Sequence, residues 1–212
     1  MKTYLAISIL LISLIISIKS DNLNVSSPDE RLKLIINIER GIATYSATYD
    51  NKEILLPSRL GLKSNIGDFT QGLTLTKTEF KKEIHSYNMT RTKASYSDYV
   101  ANRIDFTLQN SEKHQIIVSF LVSNNDIAFR YTLLRQENDD PKSAVITSEI
   151  SSFRFPEFTT TFISPQSDPM IGWERTKPSY EEVYSADADM NIKSYYGRGY
   201  VFPALFHVGN NG

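Results

Sequence analysis

Carboxylates and aromatic rings are the side chains here whose types could do chemistry, and they gather in one stretch. Glu174, Glu181, Glu182, Asp187 and Asp189 lie among Trp173, Tyr180, Tyr184, Tyr195 and Tyr196. Rings stack on sugar faces, ionised acids accept from sugar hydroxyls, and paired acids can run glycosidic chemistry. Carboxylate oxygens also ligate a hard cation such as calcium. A solvated acidic loop whose rings pack onto a core has the same composition, and composition alone favours that plainer account. Asp187-Ala188-Asp189-Met190-Asn191 does not match an EF-hand loop, because the following glycine and the terminal acid are missing.

Most other chemistries are excluded. The 212 residues contain no cysteine, which removes disulfides, zinc-thiolate sites, a thiol nucleophile and lipidated cysteine. His85, His114 and His207 stand in unrelated contexts, a polar strand edge, a hairpin turn and a late apolar strand, without metal-ligand spacing. There is no Gly-x-Ser-x-Gly elbow, phosphate loop or dinucleotide glycine pattern. Lysine plus arginine total 23 against 24 acids, so no basic field exists for nucleic acid. No catalytic residue is assigned in this chain, and its substrate-binding residues stay unassigned.

The elements that must position these residues are strands. With 41% hydrophobic and 22% charged residues, the chain has the apolar mass for one core. The apolar run from Tyr4 to Ile18 after Lys2 reads as a secretory signal, with cleavage expected near Ser20–Asp21. Removing residues 1–20 takes away Lys2 and Lys19 and no acid, leaving 23 − 2 = 21 basic and 24 acidic residues, net −3. The product expected is an exported, periplasmic or extracellular protein of residues 21–212 with no stable membrane span after cleavage.

Period-two alternation marks Leu32, Leu34, Ile36 and Ile38, then Ala43, Tyr45, Ala47 and Tyr49. Asp50-Asn51-Lys52-Glu53 turns into Ile54-Leu55-Leu56, whose regularity Pro57 and Gly61 limit. Three hairpin-linked strands are predicted around Ile104–Leu108, Gln115–Val122 and Ile127–Leu134, and another β stretch begins at Val145. After Pro165 the pattern predicts a long ordered loop across the sandwich. Tyr200 to Val208 is predicted to be a core strand, and the Gly209-Asn210-Asn211-Gly212 ending a hairpin lacking its return strand. No run shows helical periodicity, so the fold class is all-β, a mainly antiparallel sandwich.

Ser27-Pro28-Asp29-Glu30-Arg31-Leu32-Lys33-Leu34, then Gly41 to Tyr49, the Asp50-Asn51-Lys52 turn and Leu56-Pro57-Ser58-Arg59-Leu60-Gly61-Leu62 together resemble the opening of the N-terminal domain of glycoside hydrolase family 97. Softer matches are Asn125 to Tyr131, Thr147-Ser148-Glu149 before Phe153-Arg154-Phe155-Pro156, and Pro178 to Tyr184. Arg91 to Tyr99 departs from the family pattern and marks a divergent member. The resemblance implies a β-super-sandwich similar to galactose mutarotase. It also implies an exported α-glucosidase or α-galactosidase acting on oligo- or polysaccharides, whose C-terminal (β/α)8 barrel lies beyond these residues. In that family the sandwich lends one glutamate to a calcium site, corresponding here to Glu181, with Glu182 as the neighbour. The implied role is non-catalytic: the domain supports the barrel and the sugar site. The alternatives are a stand-alone carbohydrate-binding or envelope interaction module and, more weakly, a mutarotase-like epimerase.

Overall fold

The computed structural model describes residues 20–135, 143–166, 183–195 and 197–209. Strands β1 (Ser20–Ser26), β2 (Leu32–Glu39), β3 (Ile42–Tyr49) and β4 (Lys52–Arg59) form a four-stranded antiparallel sheet in chain order. Alternation does what it predicted: Leu34 and Ile36 on β2 are fully buried, while Lys33 and Glu39 point to water. Small residues face large ones across the ladder, Leu34 opposite Ala47 and Ile38 opposite Ala43. The two-residue turns β2–β3 and β3–β4 each have both residues at positive φ, Arg40 (52°) with Gly41 (77°) and Asp50 (48°) with Asn51 (61°). That conformation matches the twist of the flanking strands.

The second sheet runs β10-β9-β8-β7, built from β7 (Thr74–Asn88), β8 (Tyr96–Gln109), β9 (Gln115–Ser123) and β10 (Ile127–Leu133). Its inner face presents Ile104, Phe106, Val118 and Phe120, all fully buried in one core with Leu34 and Ile36. Phe120 is the hub of the rings there: its centroid lies 5.4 Å from Tyr45, 5.3 Å from Phe129 and 6.3 Å from Phe106. Each such ring removes apolar area worth about 2–3 kcal/mol. Strand β9 pairs with β8 only back to Ala101, so Ile84–Asn88 and Tyr96–Val100 run on as a two-stranded arm. Ser86 and Tyr96 hydroxyls tie the arm by donating to Asp98 at 2.6 and 2.5 Å.

Two smaller sheets flank this sandwich: β11 (Ile146–Glu149) with β5 (Leu62–Ser64) and β6 (Gly67–Asp68), and β13 (Ser185–Asp189) with β12 (Thr160–Pro165) and β14 (Tyr200–His207). No described residue is helical.

Pro57 limits the regularity of its strand as expected: it sits exposed in β4 where the register with β3 shifts, a place where a missing N–H is tolerated. Other expectations change. The β stretch from Val145 shrinks to β11, with Arg154 reaching Leu56 by an isolated bridge. The segment after Pro165 is not all loop, because Ser185–Asp189 pairs with β12. Strand β14 is not a core strand either: Phe202 and Leu205 are exposed, and Phe206 alone stacks inward on Phe155 at 4.1 Å.

Candidate functional site

Of the predicted acidic and aromatic cluster, Glu174, Glu181, Glu182, Trp173, Tyr180 and Tyr196 lie outside the described residues. The others are placed by the β12–β14 sheet. Asp187, held at φ 45°, accepts from the Thr160 hydroxyl at 3.4 Å, and Asp189 stands opposite Thr160 in the ladder. Tyr184 stacks on Phe162 with centroids 4.9 Å apart and planes 11° apart. Beside it, Tyr184, Tyr195 and Tyr200 line an open hollow of about 460 Å³ with Lys193, Ile192 and Pro165. Ring faces, phenolic hydroxyls and one ammonium suit a neutral polyhydroxylated molecule. Among the described residues no three histidine, aspartate or glutamate side chains gather as a metal site.

A second concentration of charge lies on the outer face of β7, β8 and β9 and was not foreseen. Lys77, Glu79, Lys81 and Glu83 repeat at period two along β7, so they share one face. Arg103 links the row to β8: its Nη1 donates to Glu83 at 2.7 Å and its Nε to Asp105 at 2.8 Å. Lys81 Nζ bridges Glu79 at 2.9 Å and Asp105 at 3.3 Å, and Lys77 pairs with Glu79. Burial pushes the Asp105 carboxyl up, but bonds from Arg103, Ser119 and Lys81 outweigh it and hold the group below the ordinary carboxylate range. Hydrogen bonds from Lys77 and from Arg103 likewise lower Glu79 and Glu83.

Asp29, Asp50, Asp68 and Asp98 are also shifted down, each chiefly by a side-chain hydrogen bond. Among the described residues, every carboxyl with a displaced ionisation is thus stabilised as the anion, whereas a general acid needs the opposite shift. The β7–β9 array is an ion ladder that closes one face of the sheet. Its signal in the sequence was the alternating charge of Lys77 to Glu83, legible only once that stretch is taken as a strand.

The motifs that carried the family resemblance turn out to be joints. Ser27 is buried: its hydroxyl donates to Asp29 at 2.6 Å and accepts from the Leu32 amide at 3.0 Å. Arg31 clamps Asp50 with two bonds, 2.9 and 2.6 Å, and lies 4.7 Å over the Tyr49 ring. In the second motif Ser58 accepts from the Arg154 amide, and Gly61 N donates to the Tyr131 hydroxyl at 2.9 Å. A Cβ on Gly61 would sit 2.7 Å from Ile150, so only glycine lets those segments meet.

The antiparallel sandwich agrees with the comparisons to known proteins. The model of the glycosyl-hydrolase 97 N-terminal domain matches residues 25–212, and the chain belongs to that family. A crystal structure of a beta-arabinopyranosidase is 48% identical, with a TM-score of 0.84 over 90% of this chain and 30% of that one. A family 97 enzyme of Pseudoalteromonas sp. strain K8, solved with panose and with acarbose, is 22% identical with a TM-score of 0.62. That match covers 68% of this chain and 22% of the enzyme, and shows the fold alone. The chain thus spans less than a third of the length of these structures. No curated protein matches it.

Proposed function

We propose that this chain is the non-catalytic N-terminal sandwich of an exported glycoside hydrolase that cleaves arabinopyranosides. The observation that carries the substrate class is the 48% identity to a beta-arabinopyranosidase over nine-tenths of the chain, twice the identity to the enzyme solved with panose. L-Arabinopyranose has the ring configuration of D-galactopyranose without the C6 hydroxymethyl. The α-galactosidase side of the expected activity range therefore fits better than the α-glucosidase side.

In this proposal the sandwich packs against a C-terminal (β/α)8 barrel that holds the catalytic carboxylates. The β12–β14 rim, with its tyrosine-lined hollow, faces the sugar site. Glu181, or its neighbour Glu182, supplies one calcium ligand, and by the family resemblance the other ligands belong to the barrel. Calcium there would supply a fixed positive charge for sugar hydroxyls and developing negative charge. Export rests on the leader-like residues 1–20, whose removal leaves β1 without loss of any ladder partner beyond Ser20.

The test is hydrolysis by the full-length enzyme of nitrophenyl β-L-arabinopyranoside, α-D-galactopyranoside and α-D-glucopyranoside. The arabinopyranoside is expected to have the highest kcat/KM. Preference for the glucoside would overturn the substrate class. A stop codon at Gly212 in the source gene would overturn the hydrolase itself and leave a stand-alone sugar-binding module.

A further inference from the structure

Strand β7 ends the second sheet: it pairs with β8 on one side, and along its 15 residues the other edge has no ladder partner among the described residues. Strands usually run to about 5–6 residues, and an open edge of this length offers a long row of backbone N–H and C=O groups to another strand. From Lys77 onward the ladder with β8 runs without a bulge, so the edge is regular there. Lysines normally blunt such an edge by repulsion. Here the charges alternate instead: Lys77, Glu79, Lys81 and Glu83 share the outer face, with side chains exposed by 67, 38, 49 and 21%. The opposite face carries Phe80, which stands across from the fully buried Ile104 in the ladder and is itself 61% exposed.

We infer that β7 pairs edge to edge with β7 of a second copy of this chain, antiparallel, on a two-fold axis through Phe80. The inference goes beyond the hydrolase reading and does not rest on it. Charge complementarity chooses the occupant. Reversing the strand about residue 80 sets Lys77 opposite Glu83 of the second copy and Glu79 opposite its Lys81, each contact made twice by the symmetry. Opposite charges facing each other across an antiparallel pair attract, and like charges repel. Moving the axis by one residue reverses the sign: on Glu79 it sets Lys77 against Lys81, and on Lys81 it sets Glu79 against Glu83. The row therefore matches its own reversed copy in one register and opposes the neighbouring ones. On the other face the same axis brings the two Phe80 rings together, covering apolar surface that one copy leaves in water. The two four-stranded sheets then continue as one across the axis.

The test is sedimentation of the full-length protein, together with oxidative cross-linking of full-length Phe80→Cys and Ile84→Cys in a background without other cysteines, read on non-reducing gels. The two positions are similarly exposed, 61 and 62%. Residues facing each other on the axis have Cα atoms about 4.5–5.5 Å apart, within disulfide reach, whereas the two copies of residue 84 would lie about 27 Å apart along the pairing. The wild type is expected to sediment as a dimer at micromolar concentration, and Phe80→Cys to cross-link about tenfold or more faster than Ile84→Cys. Lys77→Glu, at an exposed position, sets acid against Glu83 of the second copy and is expected to raise the dimer dissociation constant about tenfold or more. A monomeric wild type means that no second copy covers the edge and overturns the inference. Equal cross-linking rates, or a dissociation constant unmoved by Lys77→Glu, mean that any dimer uses another surface or register and overturn it too. Glycosidase activity is scored separately, so the pairing can fail while the hydrolase reading stands.

Discussion

Replacing Asp105 by asparagine probes the ion ladder at its most buried charge. Asp105 is 8% exposed and accepts from Arg103 at 2.8 Å and Lys81 at 3.3 Å, with Ser119 as a third donor. Bonds to a charged acceptor contribute about 1.5–3 kcal/mol each. Asparagine keeps a neutral carbonyl acceptor and turns an amide donor toward the two cations. Full loss does not follow, because Glu83 still holds Arg103 and Glu79 still holds Lys81. Breaking a buried pair costs about 3–5 kcal/mol, and the partial exposure of Arg103 and Lys81 reduces this to about 2–4 kcal/mol. For a domain of this size that is about 5–15 °C in Tm.

The pH dependence supplies the sharper check. The folded-state carboxyl of Asp105 is held below its unfolded value. Its contribution is therefore complete above about pH 4, the unfolded carboxyl range, and is lost as pH falls through the lower folded value. Calorimetry of wild type and Asp105→Asn should show a constant Tm gap from pH 7 to 5 that narrows below about pH 4. A gap under about 2 °C at pH 7, or one that does not narrow in acid, would refute the reasoning.

Other substitutions test other joints. Gly41→Ala should cost about 2–4 kcal/mol, since φ is 77° and the new Cβ would lie 2.9 Å from the Gly72 backbone; Gly197→Ala, at φ 70° in open space, should cost about 1 kcal/mol in the same urea titrations. Phe120→Ala removes the hub of the aromatic core and should lower stability by about 3–5 kcal/mol, read by chemical denaturation. In the full-length enzyme Glu181→Gln is expected to raise the calcium concentration needed for half-maximal activity about tenfold or more, with Glu182→Gln near wild type; the reverse order would transfer the ligand to Glu182, and no change in either would remove the calcium assignment.

How much was legible follows from which signals are local. Strands β2, β3, β8, β9 and β10 were readable because each buries one face, and burial writes itself as alternation, as in Leu32 to Ile38. Strand β7 was not. Phe80 and Ile84 stay exposed, so its sequence of Thr, Lys and Glu carries no buried face to betray it. Strands β12 and β13 pair with bulges and are too short to show a period. The family motifs were readable because they are turn chemistry within a few residues, and the structure explains each as a hydrogen-bonded joint.

By itself the sequence determined an all-β antiparallel sandwich and a chain without thiol chemistry, because composition, alternation and turn residues act over short distances, and its motifs carried the resemblance to family 97. Only the tertiary structure decided that Arg103 unites charges from two strands and that Gly61 is needed to admit Ile150. It also decided that the apolar strand β14 faces outward rather than into the core. The physical reason is common to all three. Hydrophobicity along a chain says that a side chain seeks cover, whereas which body covers it depends on neighbours that only the assembled sheets define.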